Sequence, residues 1–477
     1  MARITESFAW LSSCTGHADD DNDVPSMTRR LRSAAGETFR SFAHRNFRLF
    51  FLGQMVSQAG TWMQSVAIVW LVLQLTGDGL ALGLVTAAEF LPVLVLGAWA
   101  GVVADRADHH RLMTLTQVAF LGLSVVLSAV TLTGAATVPL LLVLSLVFGT
   151  INAFDNPTRR ALVVELVPRH DVPNAVGLNS ALMTGARVVG PAIAGAVIAG
   201  PGPGAAFVLN SVTYLAVIVA LLRLDRSAIR PAPRVARAKG QLRAGLRYAW
   251  RTPEVRVPLV MLAVVGMLAF NHQVTLPLLA ERTFRGTATT YTLLLATMSA
   301  GSVAGALTVA RRSDVTPAAL VRSVAGVAVA SAALAVAPTL PLALVAALAL
   351  GFTSIGLVSG ANAVVQLRAA PAMRGRVLAL LSVVFLGSTP IGGPIVGWVA
   401  EVTNPRAAVA LGGAGALAVL AWALRQLRAH PELGTSAPAG RTAPAGEAPP
   451  AGAPAATAVA GVGGGRPPTA ERAPAAA

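Results

Sequence analysis

Long apolar runs recur along most of the chain, separated by short breaks of glycine, proline and charge. Twelve runs of roughly 18–28 residues can be marked, each long enough to cross a hydrocarbon core about 30 Å thick as a helix. They begin near Leu49, Leu80, Leu112, Val138, Asn174, Ala205, Val257, Thr289, Pro317, Leu340, Arg376 and Arg406. The pattern predicts an all-α polytopic membrane protein of twelve transmembrane helices, called spans 1 to 12 below. The breaks fall where turns are expected.

Charge in the loops gives orientation. The odd loops carry Asp78, then no charge near Gly134 or Pro201, then Glu281, Arg282 and Arg285, none near Pro338, and Glu401 with Arg406. Arginine concentrates in the even loops and tails: Arg40, Arg45 and Arg48; Arg106 and Arg111; Arg159, Arg160 and Arg169; Arg311 and Arg312; Arg368, Arg374 and Arg376; Arg425 and Arg428. This alternation predicts that both termini are cytoplasmic. The expected place is the inner or plasma membrane, with the first span as the targeting signal in place of a cleaved leader.

A basic stretch, residues 225–256, divides the spans into six plus six. Two bundles are expected, at 45–224 and 257–428. Within the stretch, Gln241–Trp250 fits either an amphipathic helix on the inner leaflet or a flexible basic linker. Residues 1–44 read as a polar and basic tail, with Met27 an alternative start. Residues 429–477 are rich in Pro, Ala and Gly and too poor in bulky apolar residues to fold.

Composition agrees with the hydropathy. Of 477 residues, 55% are hydrophobic and 12% charged, against about 25% charged in soluble domains. Mean hydropathy is +0.66. The net charge of +16 does not point to nucleic acid, because the cations sit at span ends and form no patch with interleaved aromatics. Lys239 is the only lysine and Cys14 the only cysteine, so no disulfide or thiol–metal framework exists within the chain. No nucleophile–base or metal constellation suggests an enzyme, no phosphate-binding glycine loop suggests ATP, and no cofactor is expected.

The two halves also repeat. Gly149, Gly190 and Gly195 recur 202 residues later as Gly351, Gly392 and Gly397, and Gly97–Gly101 (GAWAG) recurs as Gly301–Gly305 (GSVAG) at 204. Paired six-helix repeats are a transporter plan with the substrate site between the halves.

Between spans 2 and 3 runs GVVADRADHHR, Gly101 to Arg111. It resembles the loop 2–3 signature of the major facilitator superfamily, roughly G-x-x-x-D-R-x-x-R-R, with Gly101, Asp105, Arg106 and Arg111 at the key positions and His110 replacing a second basic residue. Asn46–Gln64, Asn156–Pro168 and Asn174–Gly195 are similar to the branch of enterobactin-exporter-like and drug-efflux proteins, over about residues 40–428. The second copy, in loop 8–9, is degenerate, with Val309 where Asp105 stands. The resemblance implies alternating access, export of a siderophore or amphipathic drug-like molecule, and a cytoplasmic gate. In that gate Asp105 would accept hydrogen bonds from the start of span 11 near Arg374–Val377, whose helix dipole is positive. Ala186–Gly195 resembles the antiporter motif G-x-x-x-G-P-x-x-G-G. It implies an interdomain seam at Arg187, Gly190, Pro191 and Gly195.

Polar residues inside spans suggest the rest of the site. Glu89 in span 2 and His272 in span 7 are candidates for proton coupling, since ionisable groups in membranes are costly; Arg187 is a candidate partner for Glu89. Gln54, Gln58, Thr61 and Ser65 fall within about 60° on span 1 and predict a cavity lining, with Trp62 beside them. Asn152, Asn271, Gln273, Ser354 and Asn362 extend it. Asp155 is expected to pair with Arg159 or Arg160. The expected partners are a small-molecule substrate, protons and the bilayer, with the protein a monomer. An importer, a uniporter or a transport-inactive sensor of the same fold are the alternatives.

Overall fold

The computed structural model describes residues 38–230, 241–311 and 316–434. The readings that concern Cys14, Met27, Lys239, Arg312 and residues 435–477 lie outside the described residues.

All regular structure among the described residues is helical, and twelve helices are long and apolar enough to cross a membrane. Span 1 is Arg45–Thr76, span 2 Gly79–Arg106, span 3 His109–Leu132, span 4 Val138–Glu165, span 5 Val172–Ala199 and span 6 Pro203–Leu222. The second set is span 7 (Pro253–Leu268 and His272–Leu278, extended by a π-helical turn Leu279–Thr283), span 8 Ala288–Ala310, span 9 Pro317–Val336, span 10 Leu340–Arg368, span 11 Pro371–Val402 and span 12 Pro405–Ala429. The chain is therefore a multi-pass membrane protein of two six-helix pseudo-repeats.

The turns are built from local chemistry. Asp78 caps span 2 by accepting from the Leu80 N–H at 2.7 Å, and Asp108 caps span 3 from the Arg111 N–H at 3.0 Å. That backbone donor holds the Asp108 carboxyl below the usual aspartate range. Asn404 caps span 12 in the same way. Gly77 closes span 1 at φ 63°, a left-handed conformation that favours glycine.

Helix pairs recur between the repeats. Span 2 packs on 4 as 8 packs on 10; span 1 packs on 5 as 7 packs on 11; span 3 packs on 6 as 9 packs on 12. The 202-residue glycine spacing has a structural basis. A Cβ at Gly149 would strike the Glu89 carbonyl of span 2, and one at Gly351 the Met298 carbonyl of span 8. Gly190 presses on Ala59 O and Trp62 of span 1; Gly392 presses on Met267 O and Asn271 of span 7. Such positions admit no side chain because helix backbones meet there. In the GAWAG–GSVAG match the first glycines differ: Gly97 faces open space, whereas Gly301 meets the Leu348 carbonyl; Gly101 and Gly305 are both buried.

Span 7 departs from a single continuous helix. It breaks at Ala269–Asn271, where the Asn271 Nδ2 donates to the Met267 carbonyl at 2.7 Å. The side chain thus takes a carbonyl that the helix would otherwise use. Within the basic stretch between the halves, Gln241–Arg251 is helical. It docks at the start of span 11. Tyr248 Oη accepts from the Ala370 N–H at 3.0 Å, and Gly245 lies against Arg376.

The second segment of span 7 touches spans 1 and 2 across the halves, and two larger contacts join them: span 2 with span 11, and span 5 with span 8. Both are tight toward the Arg-poor face, which bears the odd loops. There Gly79 meets the Gly397 carbonyl, Gly83 meets Gly393 and Pro394, and Gly195 meets Thr292. Toward the Arg-rich face the same helices part. Gly97 and Gly375 have open space beside them and Leu307 is 59% exposed.

Candidate functional site

The space between the halves is bordered by spans 1, 5 and 8. At about 100° per residue, Arg187 lies about 60° to one side of Gly190 and about 80° to the other side of Gly195. Gly190 touches span 1 and Gly195 touches span 8, so Arg187 projects between them. Its guanidinium sits 5.2 Å from the centre of the Trp62 ring, and its carbonyl is approached by Ser299 Oγ of span 8 at 3.5 Å. Gln58, one turn before Trp62 on the same face, is half-buried and donates to Gln54 Oε1 at 3.3 Å. Arg187 faces Trp62 and not Glu89. Gly190 and the buried Pro191 pack within the first half; Gly195 and the Arg187 backbone are what reach across the seam.

The polar stripe of span 1 divides. Gln54 is fully buried with its Nε2 unpaired, against the expectation that it faces a cavity. Thr61 donates to the Ser57 carbonyl at 2.9 Å and meets Tyr214 Oη of span 6 at 3.0 Å. Thr61 is turned toward span 6, where small residues such as Gly53 and Gly60 let the two helices approach. Ser65 lines a cavity of about 10 Å³ with Gln64, Ser145 and Glu89, inside the first half.

Glu89 forms no hydrogen bond or ion pair among the described residues; the nearby ionisable group is Tyr291 of span 8, itself buried and with an unpaired hydroxyl. His272 opens the second segment of span 7 beside Phe270, with ring centroids 6.1 Å apart. The two candidates stand in different halves, and nothing bridges them among the described residues. Asn152 accepts from Asn156 at 2.8 Å, Asn362 donates to the Val358 carbonyl at 2.9 Å, and Asn271 keeps an unpaired Oδ1. Gln273 is half-buried and the Ser354 hydroxyl is unpaired. Asp155 does reach Arg159, at 3.6 Å, and accepts from Thr116 and Gln117 of span 3 at 2.9 and 2.7 Å.

In the loop 2–3 segment, Gly101 is buried while Asp105, Arg106 and Arg111 are exposed at the Arg-rich face. The two histidines tie the segment down. His109 pairs with Glu165 of span 4 at 2.8 Å, and His110 with the Leu221 carbonyl of span 6 at 2.8 Å. Counted from Gly101, the two basic positions of the family pattern fall on His109 and His110, and Arg111 lies one residue beyond it.

The opposite face carries a cluster whose members read in the sequence as isolated loop charges. Arg282, at the end of span 7, pairs with Glu401, at the end of span 11, at 2.7 Å, and also donates to the Gly77 carbonyl. Glu401 accepts from the Gly79 N–H at 2.9 Å. Two side chains of the second half thus clasp the span 1–2 turn of the first. The signal in sequence was faint: one cation and one carboxylate in loops otherwise nearly free of charge. Also unforeseen is a buried network in the first half, where Gln64 Oε1 accepts from Ser124 at 2.9 Å and Asn210 at 2.8 Å. An apolar groove of about 540 Å³ between spans 1, 5 and 6 includes Met55, Ala59, Met63, Ala186, Val189 and Leu209. It lies on the side of span 5 turned away from span 8.

Comparison with known proteins follows this geometry. The Multidrug efflux pump Tap of Mycolicibacterium fortuitum is 28% identical over 389 residues, covering 75% of this chain and 90% of that protein. The Staphyloferrin A transporter of Staphylococcus aureus is 23% identical over 261 residues, 54% of this chain; the alignment spans 66% of that protein's own length. In fold, the chain superposes on a bacterial homolog of the human lysosomal transporter Spinster, in an inward-facing and occupied conformation, with TM-score 0.64 at 14% identity, covering 83% and 98% of the two chains. A bacterial homologue of the iron transporter ferroportin gives TM-score 0.62 at 14% identity, covering 80% and 98%. The transmembrane secretion effector family, MFS_3, matches residues 36–442, and with its twelve spans, paired repeats and loop 2–3 signature the chain belongs to that family of the major facilitator superfamily.

Proposed function

We propose that the protein is a secondary active exporter of the plasma membrane that moves a siderophore or an amphipathic drug-like molecule outward in exchange for protons. The observation that carries this reading is the uneven seam between the halves. It is sealed at the Arg-poor face by glycine contacts and the Arg282–Glu401 clasp, and parted at the Arg-rich face. With the Arg-rich loops in the cytoplasm, this is a cytoplasm-open conformation. Its counterpart would part the Arg-poor face and close the other around the same central site. The names of the siderophore transporter and the efflux pump among the relatives support the substrate class and direction.

In the counterpart conformation Asp105 reaches the start of span 11, where the linker helix now supplies Tyr248 to the Ala370 N–H. Asp105→Asn weakens a charge-assisted bond to a helix N-terminus, worth about 0.3–1 kcal/mol. It should lower the transport rate about two- to fivefold while leaving the order of preferred substrates unchanged. A changed substrate order at wild-type rate contradicts this assignment of roles.

Protonation of Glu89 or His272 supplies the coupling, because a ligand shifts a two-state equilibrium only by its differential affinity for the states. The test uses inverted membrane vesicles with an acid lumen, incubated with cytoplasmic extract and read by mass spectrometry. A small set of compounds should accumulate only in vesicles containing the protein and only while the gradient persists. Accumulation should fall at least about tenfold in the Glu89→Gln, His272→Ala double variant. Undiminished gradient-driven accumulation in the double variant removes both residues from proton coupling.

A further inference from the structure

We propose that Arg187 and Trp62 form the recognition point for an acidic, planar group of the substrate, so that the transported molecule carries at least one carboxylate or comparable anion. The inference deepens the transporter reading and rests on it for the word substrate. The binding measurement below does not.

Arg187 stands near the middle of span 5. A cation at that depth is costly unless it faces water or a counter-charge. Lipid is excluded by direction. The face of span 5 that carries the apolar groove, with Ala186 and Val189, points away, while Arg187 points between spans 1 and 8. No carboxylate among the described residues pairs with it. Glu89 faces the small cavity inside the first half, and Asp155 is held by Arg159, Thr116 and Gln117. Its side-chain contact is the ring of Trp62, and the residue remains exposed within the opening.

This arrangement suits an anion brought from outside. Guanidinium presents paired donors in a plane that matches a carboxylate. The ring holds the guanidinium by a cation–π contact, which orients the fork without neutralising it. Gly190 fixes the pair, since its lack of a side chain lets the Trp62 Cβ and the backbone of Ala59 and Met63 approach span 5. The half-buried amide of Gln58 stands one helical turn from Trp62 on the same face and offers a neutral hydrogen bond beside the charge. An aromatic acid could stack on the exposed part of the indole and place its carboxylate on Arg187. The apolar remainder would lie along the parted seam.

The experiment uses purified full-length protein and the quenching of tryptophan fluorescence. The probes are benzoate, phthalate and trimesate, each compared with its methyl ester. Wild-type protein should bind the best acid at least about tenfold tighter than its ester, the value of one charge-assisted hydrogen-bond pair. Arg187→Gln should erase that preference while keeping the ester affinity and the melting temperature. Arg187→Lys, which keeps charge without the planar fork, should retain part of it. Equal affinity for acids and esters, including detectable binding of neither, overturns the proposal, as does an undiminished acid preference in Arg187→Gln. The transporter reading fails separately. If acids bind yet inverted vesicles accumulate nothing with the gradient, the anion site stands and transport falls. If vesicles accumulate only neutral or cationic compounds, transport stands and the anion site falls.

Discussion

Gly83→Val should cut the transport rate about tenfold or more and drive the population toward the conformation parted at the Arg-poor face. In the present conformation a Cβ at Gly83 would collide with the Gly393 carbonyl and lie 2.9 Å from the Pro394 Cα. Both obstacles are backbone, so no rotamer change relieves them. Overpacking of this kind costs about 1–3 kcal/mol, and the cost falls only on the conformation in which spans 2 and 11 touch there. A bias of that size in one of two states moves their ratio by roughly 5- to 150-fold. Gly387→Ala supplies the comparison. Its Cβ would meet the Leu94 Cδ1 at 2.7 Å, the far end of a side chain that can turn aside, so transport should change less than about twofold. Equal effects of the two substitutions would show that the seam does not open.

Glu401→Ala should act in the same direction by another route. It removes the oxygen that accepts from the Gly79 N–H and from Arg282, which itself also holds the Gly77 carbonyl. The side chains are partly exposed, 30% for Arg282 and 40% for Glu401, so the ion pair alone contributes little. The bonds to the turn backbone matter more, and losing the cluster should cost about 1–2 kcal/mol. The expected result is a roughly 5- to 30-fold shift away from the Arg-poor-closed state, weaker than Gly83→Val, and high salt should reproduce a small part of it in the wild type. Charge reversal, Arg282→Glu with Glu401→Arg, should restore only part of the loss. An arginine at 401 cannot accept from the Gly79 N–H. Full restoration would mean that the ion pair, and not the clasp on the turn, holds this face.

The fold was legible because lipid imposes a simple rule: each crossing needs a long apolar run, and twelve were present. Helix starts moved outward, as at Arg45 and Pro371, because a helix continues past the apolar stretch into the interface. The 202-residue glycine spacing was readable for the same kind of reason, since a backbone contact forbids every side chain. The break in span 7 was not readable. Asn271 reads as a polar lining residue, and only the structure shows its amide turned back on the Met267 carbonyl. The Arg282–Glu401 pair joins residues 119 positions apart, which loop composition cannot match. Gln54 and Thr61 share the periodicity of Gln58, but periodicity does not say which neighbour helix lies on that side. Here it is span 6, through Tyr214, and not only the opening between the halves.

The proposed exporter requires that the two halves rock so that the central site faces one side and then the other. Distances between paired spin labels test it most directly. One pair, Leu115 in span 3 with Leu424 in span 12, reports the Arg-rich face; the other, Leu132 in span 3 with Val336 in span 9, reports the Arg-poor face. All four side chains are exposed. In Gly83→Val the first distance should shorten and the second lengthen relative to the unmodified chain, in antiphase. Both distances unchanged, or both moving in the same direction, would contradict the account.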